Sequence, residues 1–281
     1  MRLSLLWAGA VPFLMFTPSA EAQRITPIEG SRSVSASISA VDAVTHVVDS
    51  DSRNTTAFAP FNEHIALDAN TQYEGSPSRV DAKGSGAQSS RITDRQIEAS
   101  VSASAEGLAN DSSARGQGVG NADMYLTFEL NRRARYVVTA RATATSTAST
   151  SGQPFGGVSS LLHIANLESG TPVLSIDISG GETESLSQTG WMPAGPYTFQ
   201  GDVSALVDAR QGHGTVAGSW AVNLRLFCAS DFNANGVVDS TDRAAFLSAW
   251  NAGTATADID GNGVVNRADH DVFMLAHGRG C

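Results

Sequence analysis

Beyond its first two dozen residues the chain has no long apolar run. A bilayer span needs about 20 consecutive apolar residues, so the rest of the sequence holds no membrane-crossing helix. Positive charge is scarce. Lys83 is the single lysine, Lys and Arg together number 18 against 28 Asp and Glu, and the formal net charge is −10. This balance argues against nucleic acid or an anionic membrane as partner. The histidines His46, His64, His163, His213, His270 and His277 stand at no metal-ligand spacing. Cysteine is nearly absent: Cys228 and Cys281 are the only two.

The leading segment reads as an export signal. Arg2 supplies a positive start, Leu3–Phe16 is apolar apart from Pro12, and Ala20-Glu21-Ala22 places small residues where a signal peptidase reads. Residues 1–22 are therefore expected to be removed before Gln23, giving a secreted, extracellular or cell-surface protein. In an oxidising compartment the two cysteines suggest a disulfide between Cys228 and Cys281, since one precedes an acidic segment and the other ends the chain. By chain entropy, closing that loop contributes roughly 4 kcal/mol. The alternative is two separate thiols.

Two grammars divide the mature chain. Over 23–227, rich in Ser, Ala, Thr, Gly and Val, apolar residues recur at every second position. Examples are Met124–Leu130, Tyr136–Ala142, Tyr197–Val203 and Trp220–Leu226. A period of two with one polar face predicts half-buried antiparallel strands. Ser33–Val41, Glu63–Ala69, Gln96–Ala105, Ser159–Ile164 and Val173–Ile178 are further strand candidates. Turn signals fall at Thr145–Ser151, Gly156-Gly157, Gly180-Gly181 and Pro193–Pro196, Asn131–Arg133 looks like a tight hairpin, and Tyr73–Ser90 reads as a long loop. About eight to ten short strands predict a β-sandwich, Ig-like or jelly-roll. Near Asp231 the apolar spacing turns helical, as in Ala245, Phe246, Ala249 and Trp250, then Val272, Phe273 and Ala276. No Pro/Thr-rich linker intervenes, which points to two packed parts.

The helical part carries the chemistry. Asp231–Asp242 places oxygen-bearing side chains at positions 1, 3, 5, 9 and 12 (Asp231, Asn233, Asn235, Asp239, Asp242), with Gly236 at position 6. Asp258–Asp269 repeats the pattern 27 residues later with Asp258, Asp260, Asn262, Asn266, Asp269 and Gly263. Calcium takes six to eight oxygens. A curled loop aims alternate side chains inward, and the backbone carbonyl of position 7, here Val237 or Val264, adds a ligand. Three carboxylates per loop repel one another unless a cation joins them. About two calcium ions are expected, one per loop.

Two such loops, each followed by one helix, resemble the type I dockerin domain over about Asp231–Gly280, with an F-hand arrangement because Cys228–Ser230 leaves no room for a preceding helix. The resemblance implies a small all-α, EF-hand-type calcium module at 228–281. It also implies a cohesin-like or cell-surface protein, or a polysaccharide, as partner. The family's partner-binding pair at positions 10 and 11 is matched by Ser240-Thr241. Arg267-Ala268 departs from it, and Leu247-Ser248 stands where a basic pair is usual. The missing linker and the Gly280-Cys281 ending look like secreted proteins of planctomycete-like bacteria.

Gly212–Gly218 is similar to the histidine motif of subtilisin-like proteases but lacks one residue of it and has no nucleophile motif to complete a triad. It reads instead as a turn before the strand Ser219–Phe227. Glycoside hydrolysis needs two carboxylates set across a sugar. Glu63, Glu98, Glu129 and Glu168 are scattered candidates, Trp191 or Tyr197 could stack on a sugar, and Trp220 belongs to the core pattern. The leading expectation is a non-catalytic secreted protein, with no catalytic residue assigned. The alternative is an O-glycosyl hydrolase or carbohydrate-binding component acting on polysaccharide. Mass analysis without reductant should find the Cys228 peptide joined to that of Cys281, and two free thiols would remove the clasp.

Overall fold

Twelve antiparallel strands account for most of the chain, and the reason lies in which residues face inward. The computed structural model describes residues 24–42, 44–72, 79–111, 113–148 and 155–279. The expected signal segment and Cys281, and with it the Cys228–Cys281 pairing, lie outside these residues.

The strands are β1 (Ile25–Val41), β2 (His46–Thr55), β3 (Phe61–Gln72), β4 (Arg79–Ile92), β5 (Gln96–Ala109) and β6 (Arg115–Leu130), then β7 (Ala134–Ala148), β8 (Phe155–Asn166), β9 (Pro172–Ser179), β10 (Thr183–Met192), β11 (Gly195–Ala209) and β12 (Gly212–Phe227). The first sheet has the order β2-β1-β6-β11-β8-β9, and the second β10-β7-β12-β5-β4-β3. Facing side chains from both sheets form the main core, including Leu126, Phe128 and Phe199 from the first and Val101, Trp220 and Leu224 from the second, and a smaller cluster around Ile38, Val80 and Ala109 lies beside it. The chain is thus mainly β, with two packed antiparallel sheets in the manner of a sandwich.

The core changes character along its length. Around Trp220, which is 1% exposed, large side chains fill the space. Its indole stands edge-on to Phe199 at 5.8 Å and lies against Gly201, where a Cβ would come within 2.3 Å of the ring. Toward β4 and β6 the filling is Gly, Ala and Ser, and the two sheets close directly on each other. A Cβ on Gly118 would sit 1.9 Å from the Lys83 carbonyl oxygen, and one on Gly84 2.2 Å from that of Val119. Sheets normally pack about 10 Å apart because side chains hold them off. Here the absence of side chains lets backbone meet backbone.

This close approach overturns one expectation. Most of Tyr73–Ser90, read as a loop for its weak β residues, is β4, paired on both edges with β3 and β5. Its small residues are what the sheet contact requires. Asn131–Arg133 is no hairpin either: β6 belongs to the first sheet and β7 to the second, so these residues carry the chain across the sandwich. Gly156-Gly157 lies inside β8, Thr145–Ala148 inside β7, and His213 and Gly214 inside β12. Gly180-Gly181 is a turn, with Gly181 at φ 93°. β2 and β10 gave no alternating signal because each is an edge strand with most residues exposed.

After Phe227 only Cys228–Ser230 precede Asp231. Two helices follow, α1 (Ser240–Asn251) and α2 (Arg267–Arg279), with a short 3-10 turn at Ala255–Ala257. Their small core of Phe232, Phe246, Ala257, Ile259 and Phe273 packs against Trp191 of β10, so the helical segment sits on the end of the second sheet. Gly118→Ala should cost about 1–3 kcal/mol by forcing the sheets apart, while Gly157→Ala, with nothing within 4 Å of its Cβ, should cost little. Denaturant midpoints compare them, and equal midpoints would contradict the close contact.

Candidate metal centre

Each loop is wound around two carboxylates, one at each end. Asp231 accepts from the backbone N–H of Asn235 at 3.0 Å and of Gly236 at 2.8 Å. Asp258 does the same from Gly261 at 2.8 Å and Gly263 at 3.1 Å. At position 12, Asp242 accepts from Asn233 and Asp239, both at 2.9 Å. Asp269 accepts from Ile259 at 2.7 Å, Asp260 at 3.1 Å and Asn266 at 2.9 Å. Each position-12 carboxylate therefore ties the start of its loop to the end. In the first loop the same contact completes a capping box, with Asp239 as N-cap accepting from Thr241 N–H.

Backbone conformation makes the winding possible. Position 6 is Gly236 at φ 91° and Gly263 at φ 83°, and position 4 is Ala234 at φ 60° and Gly261 at φ 81°. The side chains of positions 3 and 5 cap short turns within the loop. Asn233 accepts from Asn235, Asn235 from Val237, Asp260 from Asn262 and Asn262 from Val264, all at 2.7–3.0 Å.

In the second loop, oxygens of Asp258, Asp260 and Asp269 lie within 4.8 Å of one another. Asn266 accepts from Ala268 N–H and donates its amide to the Val264 carbonyl at 3.1 Å, so that carbonyl is engaged within the loop. In the first loop Asp231 and Asp242 are buried, Asn233 and Asn235 are exposed beside them, and the Val237 side chain faces solvent. Burial raises the Asp231 carboxyl above its ordinary value, and the charge of Asp242 adds to the rise, against the backbone N–H groups that lower it. Asp239 shifts down because Thr241 hydrogen-bonds its carboxylate. Thr241 also accepts from the Asn233 amide at 2.9 Å, while Ser240 and Thr241 remain exposed on the first turn of α1.

The two repeats pack on each other. Phe246 stacks on Phe273 with ring centroids 4.0 Å apart, and Phe232 stands edge-on to both. Trp250 Nε1 donates to the Asn266 carbonyl, and His277 Nε2 to the Asp239 carbonyl, each at 2.8 Å. Trp250 and His277 hold the same place in the 27-residue repeat, so each helix clamps position 9 of the other loop. The sequence gives no reason to pair these two residues, because tryptophan and histidine share no obvious class.

The chemistry of the donor set fits a hard divalent cation. All side-chain donors are oxygen, and Asp242 and Asp269, each 0% exposed, have only backbone N–H groups among their hydrogen-bond donors. Buried carboxylates are costly unless a cation accompanies them.

The outer face of the second sheet carries three depressions. One is lined by Asn62, Glu98, Arg141 and Asn223, a second by Glu63, His64, Thr143 and Ser219, and a third by Asp68, Lys83, Glu106 and Thr215. The aromatics in these linings, Phe61 and Trp220, are both buried. Glu106 is held by Lys83 at 3.1 Å and faces His213 at 3.3 Å. Neither tryptophan nor tyrosine proposed for sugar stacking is free for it. Tyr197 is buried and donates to the Pro193 carbonyl, and Trp191 is taken up by the helical segment. Trp220 is in the core, as its alternation implies.

No protein-family model and no curated protein matches the chain. Among solved structures it aligns with particles of infectious bursal disease virus. One alignment has 10% identity and TM-score 0.14 and covers 91% of this chain and 76% of that one. A second, of the Gx strain, has 9% identity and TM-score 0.14 and covers 89% and 79%. Likeness at that level carries no argument about fold or function.

Proposed function

We propose that this is a secreted, non-catalytic protein whose residues 228–281 form a dockerin-like tandem module for about two calcium ions, carried on a β-sandwich that serves as a binding or structural body. The observation that carries the reading is the duplicated loop, in which ligand-type oxygens fall at the same positions twice and two carboxylates per loop are buried. Bound calcium would supply positive charge at the point where the carboxylates converge. The chain's own residues do the rest. Asp231 and Asp258 fix the turn at position 6, Asp242 and Asp269 close each loop onto its helix, and Trp250 and His277 lock the loops to each other.

As an attachment tail, the module offers Ser240 and Thr241 on an exposed helix start to a cohesin-like or cell-surface protein. The rival reading, a polysaccharide-degrading or carbohydrate-binding component, draws on the dockerin likeness alone, which is an argument by analogy. A Cys228–Cys281 disulfide would close the module's two ends.

Calorimetric titration of the full chain with calcium should give about two ions and a gain in helical signal over chelated protein. Asp231→Ala and Asp258→Ala should each remove one site. Unchanged stoichiometry in both variants, or no heat in the parent, would contradict the reading.

A further inference from the structure

We propose that Arg133 and Arg135 of the sandwich are resident counter-cations of the two loops, one arginine to each, and that they hold calcium affinity down while fastening the helical segment to the second sheet. The inference rests on the calcium reading above and adds its regulation by residues more than ninety positions away in sequence.

The two arginines flank Ala134, the first residue of β7, so both stand at the end of the second sheet on which the helical segment sits. Arg133 serves the second loop. Its Nη1 donates to the Asp258 carbonyl at 2.6 Å and lies 3.9 Å from Asp258 Oδ1. The guanidinium rests over the Trp191 ring at 4.9 Å, and the Trp191 indole N–H donates to the Thr256 carbonyl at 3.1 Å. Gly261 is part of the arrangement: a Cβ there would come within 2.9 Å of Arg133 Nη1. The corresponding position of the first loop is Ala234, which has the same left-handed backbone.

Arg135 serves the first loop. Its guanidinium lies over the Phe232 ring at 4.7 Å, between Asp231 and Asn233 in sequence. Burial lowers its pKa, and the charges of Asp231 and Asp242 act against that fall. Its Nη1 is buried and makes no hydrogen bond among the described residues, so the field of the two carboxylates offsets part of the cost of burying this charge.

A fixed positive charge several ångströms from a carboxylate cluster stabilises the cation-free loop and repels an entering dication. Both effects weaken calcium binding. Converting either arginine to a neutral residue should therefore tighten its own loop, by about threefold to tenfold at the dielectric of a protein surface.

The test is calorimetric titration of the full chain with calcium, one loop at a time. Arg135→Gln and Arg135→Lys are measured with the second loop disabled by Asp258→Ala. Arg133→Gln and Arg133→Lys are measured with the first disabled by Asp231→Ala. Each Gln variant should tighten its loop by about threefold to tenfold, and each Lys variant, which keeps the charge, should stay within about twofold of its background. Calcium binding in the backgrounds with Gln variants no tighter, or with Gln and Lys variants equally changed, overturns this inference and leaves the calcium reading standing. No calcium bound by the parent chain or any variant overturns both.

Discussion

The helical segment depends on two carboxylates that have no access to water. Asp242 and Asp269 are each 0% exposed, and an ionised carboxylate in such a place is costly unless hydrogen bonds and a cation hold it. The backbone supplies the hydrogen bonds, from the start and the end of each loop at once. That requirement sets the left-handed turns at positions 4 and 6. It also places the first turn of each helix and brings Phe246 over Phe273 at 4.0 Å. The Trp250 and His277 clamps then make the two repeats one body, because each holds the other's loop by a main-chain carbonyl.

The sandwich meets a different constraint with the same economy of parts. Where Trp220 and Phe199 fill the interior the sheets stand apart. Where Gly84, Gly118 and Gly120 replace side chains, the sheets touch through backbone. Hydrophobic burial is smaller in that half, and close packing takes a larger share of the cohesion. The half with large side chains continues through β7, β10 and β12, whose ends carry Arg133, Arg135, Trp191 and Phe227. The helical segment is built on this end, so its attachment is to the half with large side chains.

Much of this was legible in the sequence, for physical reasons. A tightly wound loop repeats fixed residue types at fixed spacing, so the two turns with glycine at position 6, in Asp231–Asp242 and Asp258–Asp269, could be placed without coordinates. Strands with one buried face alternate, and nine of the twelve strands announced themselves that way. The misses share a cause. β4 is built of residues whose virtue is being small, which composition reads as loop. β2 and β10 are edges with little to bury. Asn131–Arg133 is a tight turn in any reading, and only tertiary structure decides whether it folds a strand onto its neighbour or onto the opposite sheet. The arginines beside the loops were invisible because nothing in sequence joins Arg133 to Asp258.

On the proposed reading, calcium organises the two loops and the end of the sandwich into one electrostatically linked unit. Amide hydrogen exchange of the full chain, with calcium and with chelator, reads this out. Calcium should slow exchange in both loops, at Gly236 and Gly263 among others, and also at Arg133–Arg135 and Trp191 in the sandwich. Exchange in the loops that is the same with calcium as with chelator would contradict it.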